Sequence, residues 1–384
     1  MSDNNICLQV LDCPLPMLSP QVTPVVQPIK VLVVDDSAVV RGLISRNLAA
    51  ASGILVAGSA ANGELALAEL ARRDVDIVVL DIDMPVMDGL TALGHIVRNY
   101  PHVRVIMAST LTLRNAEISL KALSLGASDY VPKPESGLGS AEAFQRELIA
   151  KVRALGVKPG SRSQAIASGV TTAAPKPAAI VTNRSVHWPS ARKPTVLLIG
   201  ASTGGPPALQ ALFAALKGRV SQPILLTQHM PQTFTALLAD QLARTGERPC
   251  AEARDGEPIL SGHCYVAPGG WHMVVDRDGA TPILRLNQEP PENYCRPAVD
   301  PMFRSAAKIY GSGVLAVILT GMGQDGAQGC EVVAKVGGRF IAQDEASSVV
   351  WGMPGAAAAT GLAEAIMPLV EIGPWLCREA GTTL

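Results

Sequence analysis

The chain has no excess of charge of either sign: its 384 residues carry 32 Lys and Arg against 33 Asp and Glu, a formal net charge of −1. That balance argues against a globally basic nucleic-acid binder. No apolar run approaches the ~20 residues that a membrane helix needs. The opening MSDNNICLQV lacks the positive charge that begins a signal peptide. Together these absences predict a cytoplasmic protein with no direct membrane insertion. Cysteine is sparse: seven residues, an odd number, with no CxxC pair. A disulfide framework and a zinc ribbon are therefore not expected. Gly and Pro, at 35 and 29 residues, stay below the level of a wholly disordered or collagen-like chain. What remains is 48% hydrophobic, enough for sizeable cores, over a length suited to two or three domains.

Residues 1–28 are polar and Pro-rich, without a helical or strand period, and read as an N-terminal extension. From Lys30 onward, short apolar runs alternate with helical patterns. The runs are Val31–Val34, Ile54–Ala57, Ile77–Leu80, Val103–Met107 and Tyr130–Val131. A last helix is marked by Phe144, Leu148, Val152 and Leu155. Five alternations predict a parallel, doubly wound sheet. Residues 147–192 are assigned to a Gly-, Ser-, Ala- and Pro-rich linker region that follows a first domain over 29–146. Alternation resumes at Thr195, with strands at Thr195–Ile199, Ile224–Thr227, Val314–Leu319 and a last one at Phe340–Ala342. This predicts a second α/β domain over 193–384. The expected fold class is α/β throughout.

In open parallel sheets, ligands bind at the carboxyl ends of the strands. In the first domain those ends carry Asp35 and Asp36, Asp81, Ser109 and Thr110, and then Lys133. Three carboxylates in one place repel unless a cation neutralises them, and a hard ion such as Mg2+ suits oxygen ligands. Lysine and a hydroxyl beside them fit a carboxylate that takes a phosphoryl group. The segments VLVVDDS, VVLDIDMPVMDG and GASDYVPKP resemble a response-regulator receiver domain of flavodoxin-like fold. The resemblance implies Asp81 as phosphoacceptor, with Asp35, Asp36 and Asp81 holding Mg2+. It further implies Ser109 and Lys133 on the phosphoryl group and Tyr130 as a switching aromatic. The Lys133–Pro134 bond is often cis in such domains. Asp83 and Asp88 compete for the acceptor role, but only Asp81 directly ends the apolar strand.

The second domain carries three strand-end motifs. Gly200-Ala201-Ser202-Thr203-Gly204 fits G-x-S-x-G between strand and helix, a turn that exposes a serine hydroxyl. His229 follows the next strand, in LLTQHMP. Asp325 follows the buried strand, in VILTGMGQDGAQG. Serine, imidazole and carboxylate on three strand ends are the parts of a catalytic triad. The order Ser…His…Asp differs from that of α/β-hydrolases. A rival reading takes Gly321–Gly326 as G-x-G-x-x-G, with Asp344 the acidic residue further on, and predicts an NAD-type dinucleotide site. That reading leaves Ser202 and His229 without a role. His272 is an alternative base and Asp300 an alternative carboxylate, and Arg296 is placed at the substrate groove without a catalytic role.

GASTGG, TQHMP, APGGWHM, RPAVDPMF and LTGMGQDGA resemble the protein-glutamate methylesterase domain of bacterial chemotaxis, a Rossmann-like three-layer fold. The resemblance implies Ser202 as nucleophile, His229 as base and then acid, and Asp325 as orienting carboxylate. Oxyanion donors would come from the backbone around Met322 and Gly323. It also implies methyl-accepting chemotaxis receptors as substrates, with glutamine deamidation as a side chemistry, and a chemotaxis histidine kinase as phosphodonor. No cofactor is implied for the esterase chemistry. With no helix-turn-helix or zinc-finger pattern after the linker, no nucleic-acid partner is expected. Residues 147–193 hold eight basic residues and one acidic residue, a basic tether between acidic domains.

Overall fold

The computed structural model describes residues 27–110, 112–133, 138–156 and 193–381. The N-terminal extension up to residue 26, the linker from 157 to 192, and Pro134 with its peptide bond lie outside them.

The first domain runs β1 (Ile29–Val34), α1 (Ala38–Ala49), β2 (Ile54–Ala60), α2 (Gly63–Leu70), β3 (Ile77–Asp81), α3 (Gly89–Asn99), β4 (Arg104–Ser109), α4 (Leu113–Ser124), β5 (Asp129–Pro132) and α5 (Leu138–Gly156). Its five strands are parallel, in the order β2-β1-β3-β4-β5. β3 is buried along its whole length, as its unbroken apolar run requires when helices cover both faces. Ser37, Asn62, Asp88 and Thr112 cap α1 to α4 by accepting a backbone N–H from the first turn. α5 continues to Gly156, with Leu148, Val152 and Leu155 packed in the core. Residues 147–156, assigned from sequence to the linker region, therefore belong to the first domain: their helical period buries apolar side chains. Lys151, counted there in the basic tether, is buried and paired with Asp129 and Glu147.

The second domain contains β6 (Val196–Ala201), α6 (Gly205–Leu216), β7 (Ile224–Gln228), α7 (Gln232–Gly246), β8 (Cys250–Glu252), β9 (Cys264–Val266), β10 (His272–Asp278), β11 (Thr281–Asn287), α8 (Val299–Tyr310), β12 (Val314–Ile318), α9 (Ala327–Lys335), β13 (Arg339–Gln343), α10 (Met353–Ala359), β14 (Ala365–Met367) and α11 (Leu369–Ala380). Seven parallel strands lie in the order β14-β13-β12-β6-β7-β9-β8, and β10 and β11 form a separate antiparallel pair. One apolar layer takes residues from α6, α7 and α11, the other from α8, α9 and α10. This makes three layers. β14, α10 and α11 lie beyond the strand read from sequence as the last. α11 carries Pro374 in its interior, which interrupts the pattern a helix is read by.

Both sheets reverse their strand order beside the first strand of the domain. The switch falls between β1 and β3 in one sheet and between β6 and β12 in the other. Crevices open at such points. They place Asp35 and Asp36 opposite Asp81, and Ser202 opposite the loop that carries Asp325.

The two domains also touch each other. α4 presents Ala116, Leu120 and Leu123 to a core that continues into Leu209, Leu212, Phe213 and Leu238 of α6 and α7.

Candidate functional site

At the first switch point, Lys133 Nζ lies 2.7 Å from Asp35 Oδ2 and 2.6 Å from Asp81 Oδ1. Asp35 and Asp81 are buried and Asp36 is exposed, and ligand oxygens of the three fall within 4.8 Å of one another. Three convergent carboxylates match the all-oxygen donor set of a hard divalent ion. Burial pushes the Asp81 carboxyl above its ordinary value, against the pull of Lys133. Lys133 is itself held above its ordinary value by Asp35 and Asp81, although burial opposes this. Ser109 ends β4, but its hydroxyl is 3.0 Å from Ser119 Oγ, so it is turned to α4 rather than to Asp81. Asp88 caps α3 and Asp83 is exposed; neither joins the cluster.

At the second switch point, Ser202 sits in the turn between β6 and α6. Its N–H donates to Thr320 O, and its carbonyl accepts from Gly205 N–H and from Gln228 Nε2. Gly204 takes φ +75°, open chiefly to glycine, and this lets the chain reverse into α6. Gly321 packs directly beneath the serine: a Cβ there would lie 2.9 Å from Ser202 Cβ. Thr320 ties the motifs together. Its hydroxyl donates to Thr203 O, and its N–H donates to Gln343 Oε1.

His229 Nε2 lies 2.7 Å from Asp325 Oδ2. Asp325 also accepts the N–H groups of Val299 (2.6 Å), Asp300 (3.1 Å) and Gly326 (3.0 Å), and Asn293 Nδ2 (3.2 Å). Two of those donors belong to the first turn of α8, whose positive end favours a carboxylate. Burial works to raise the Asp325 carboxyl, but His229 and these N–H groups outweigh it and hold it below its ordinary value. Burial opposes charge on His229, yet Cys295 and Asp325 push its pKa up to about 10. With Nε2 held by Asp325, Nδ1 is the nitrogen left for proton transfer, and Cys295 Sγ lies 3.4 Å from it. Among the described residues, Ser202 Oγ makes no hydrogen bond, and neither do the N–H groups of Met322 and Gly323.

The other residues singled out from sequence hold the scaffold. His272 is buried, with Nδ1 accepting from Ala298 N–H and Nε2 at 3.2 Å from Pro290 O. Arg296 donates to the carbonyls of Gln288 and Glu289. Asp300 accepts from Gly329 N–H and from Asn293 Nδ2, joining α8 to α9. Burial and the neighbouring Asp325 push its carboxyl up to about 6. The dinucleotide reading of Gly321–Gly326 fails on this geometry. The Gly326 N–H, at the head of α9 where the fingerprint would seat a pyrophosphate, donates instead to the Asp325 carboxylate at 3.0 Å. Asn293 and Cys295, which touch Asp325 and His229, were not singled out from sequence. The available signal was an Asn three positions ahead of the RPAVD segment, a residue type suited to tight turns.

The site lies against the first domain. Thr203 Oγ1 donates to Asp129 Oδ2 at 2.7 Å, and the Tyr130 ring stacks on Phe234 at 4.3 Å between centroids. Lys151 bonds Asp129 and donates to Tyr130 O at 2.5 Å.

Comparison with known proteins matches both halves. The CheB methylesterase family model covers residues 197–376, and the response regulator receiver domain model covers 31–138. A protein-glutamate methylesterase/protein-glutamine glutaminase from Azospirillum brasilense is 50% identical over 366 residues, spanning 92% of this chain and 93% of that protein. Another of that name from Rhodospirillum rubrum is 50% identical over 373 residues, spanning 92% and 95%. The crystal structure of the Thermotoga maritima CheB methylesterase catalytic domain is 38% identical, covers 49% of this chain and 99% of its own, and has a TM-score of 0.47. With such identity along almost its whole length, the chain belongs to the protein-glutamate methylesterase/protein-glutamine glutaminase family, as a response regulator receiver domain joined to a CheB methylesterase domain.

Proposed function

We propose that this chain hydrolyses glutamate γ-methyl esters, and deamidates selected glutamines, on cytoplasmic chemoreceptors, under control of phosphorylation at Asp81. The observation that carries the catalytic reading is the His229–Asp325 pair, closed at 2.7 Å on the strand end next to Ser202. Ser202 Oγ attacks the ester carbonyl and passes its proton to His229 Nδ1. Asp325 stays ionised, holds the ring by Nε2 and offsets its positive charge. N–H groups of Met322 and Gly323 receive the oxyanion; losing one such donor typically costs about 10²–10³ in rate. His229 returns the proton to the leaving oxygen and methanol departs. Water then cleaves the acyl-serine by the same relay, leaving a glutamate carboxylate and free serine. With glutamine as substrate, ammonia leaves instead.

Asp35, Asp36 and Asp81 would hold Mg2+, which when bound neutralises charge around the incoming phosphoryl group. Lys133 contacts that group, and Ser109 does so on leaving Ser119. A chemotaxis histidine kinase is the phosphodonor, and the cytoplasm is where both partners are met. No helix among the described residues is long and apolar enough to cross a membrane.

The unphosphorylated receiver covers the active-site edge. This is supported by the bond from Thr203, next to Ser202, to Asp129, next to Tyr130. Methanol release from methylated receptor, measured with and without a small-molecule phosphodonor, tests both halves. The expected results are a faster rate with phosphodonor and none for Ser202→Ala. Release by Ser202→Ala would discard the serine mechanism, and equal rates with and without phosphodonor would discard the regulation.

A further inference from the structure

Between β11 and α8 the chain makes a tight hairpin beside the His229–Asp325 pair. Glu292 and Cys295 exchange both backbone hydrogen bonds, at 3.1 and 2.8 Å. The two residues between them, Asn293 and Tyr294, have φ of 51° and 64°. Positive φ at both central positions marks a type I′ turn, whose usual occupants are Asn and Gly. Asn293 suits its place. Tyr294 does not: its Cβ strains a left-handed backbone, and glycine or asparagine would hold the turn at less cost.

Three of the four residues are anchored. The Glu292 carboxylate takes both arms of Arg304, at 2.6 and 2.9 Å. Asn293 Nδ2 reaches Asp300 and Asp325, each at 3.2 Å. Cys295 Sγ reaches His229 Nδ1 at 3.4 Å. Tyr294 has no such anchor, and its residue is 97% exposed, the most exposed of the large hydrophobics among the described residues. A lone surface aromatic needs no explanation by itself. This one sits at a strained position on a hairpin bonded to the catalytic histidine and aspartate, and among the described residues nothing uses its ring.

We infer that Tyr294 is a specificity-determining contact for the protein substrate, its ring packing on the polypeptide that flanks the esterified glutamate when that side chain reaches Ser202. The inference rests on the methylesterase reading and deepens it. An enzyme that must act on one ester within a large protein needs contact beyond the reacting group. Tyrosine supplies a broad, stiff, amphipathic face at little conformational cost. Because Asn293 and Cys295 tie the turn to Asp325 and His229, substrate held at the tip is held in register with the relay. A contact made equally in the ground and transition states is read in KM rather than kcat.

The test uses the full chain with a phosphodonor and two substrates: methylated receptor, and a small glutamate γ-methyl ester lacking flanking polypeptide. Tyr294→Asn relieves the backbone strain, so its melting temperature should equal or exceed that of the parent, which separates loss of contact from loss of fold. The expected result is a tenfold or greater fall in the ratio of kcat/KM for receptor to that for the small ester, carried by KM. Tyr294→Phe should keep most of the ratio. Equal losses on both substrates, no loss on the receptor, or a Phe variant as poor as the Asn variant would each overturn the contact. If the parent chain releases methanol from neither substrate, the methylesterase reading falls and this inference with it.

Discussion

Thr203 donates its hydroxyl to Asp129 of the other domain at 2.7 Å, joining the residue after Ser202 to the residue before Tyr130. Removing that donor leaves Asp129 with Lys151 and takes away one buried bond between the domains. Such a loss costs about 1–1.5 kcal/mol at the modest end, which is about tenfold in an equilibrium constant. Thr203→Val keeps the shape of the side chain. It should raise methanol release by the unphosphorylated full chain about tenfold and narrow the gain from phosphodonor. An unphosphorylated rate no higher than the parent's would show that this bond does not hold the domains closed.

The Asp81 cluster yields a second expectation, read by thermal melting. Burial raises the Asp81 pKa, so ionising it costs the folded state more than the unfolded one. The cost is absent below its unfolded pKa and grows as pH rises through the folded value. Asp81→Asn should therefore melt higher than the parent at pH 7 without metal, and the gap should close on acidification. Mg2+ should raise the melting temperature of the parent, by the equivalent of about 2.7 kcal/mol at a hundred times its Kd. Asp36→Asn should lose most of that rise. A parent chain indifferent to Mg2+ would contradict the assignment of Asp35, Asp36 and Asp81 to a cation.

A third expectation concerns pH. In the proposed relay His229 takes a proton only when neutral, and Cys295 and Asp325 push its pKa up to about 10 against burial. The rising limb of kcat/KM against pH should therefore continue past neutrality. Cys295→Ala removes one of the two groups that raise it, so the limb should move to lower pH. The variant should then be several-fold faster at pH 7 than the parent, although a side chain touching the base has been deleted. A limb that stays in place would mean that Cys295 does not govern the charge of His229.

The parts legible in the sequence were those that end apolar strands. Asp35, Asp81, Ser202, His229 and Asp325 each follow a run that is buried because helices cover both faces of its sheet, and the topology then gathers them. Asn293 and Cys295 come from a loop outside both sheets, so no strand period points to them. The Thr203–Asp129 bond spans 74 positions and two domains, and nothing in either motif signals it. Ser109 was placed correctly at the end of β4, but the direction of its hydroxyl depends on Ser119, one helix away.

The last expectation turns on Gly321, which ends the loop entry after β12 and accepts the N–H groups of Gly352 and Met353. A Cβ at this position would lie 2.9 Å from Ser202 Cβ and 3.1 Å from Ser202 N, and would also run into Met353 Sδ. The methionine can turn aside, but the serine backbone is fixed by its bond to Thr320 O and by α6 behind it. Gly321→Ala must therefore displace Ser202, the proposed nucleophile, or the turn that carries Met322 and Gly323. A shift near 1 Å in a reacting group can cost about 10² in rate. The variant should lose about that factor in kcat for methanol release. It should still take phosphoryl at Asp81 at the parent's rate, because Asp35, Asp81 and Lys133 are unchanged and held by their own ion pairs. A variant with parental kcat would show that the serine is not held against this glycine.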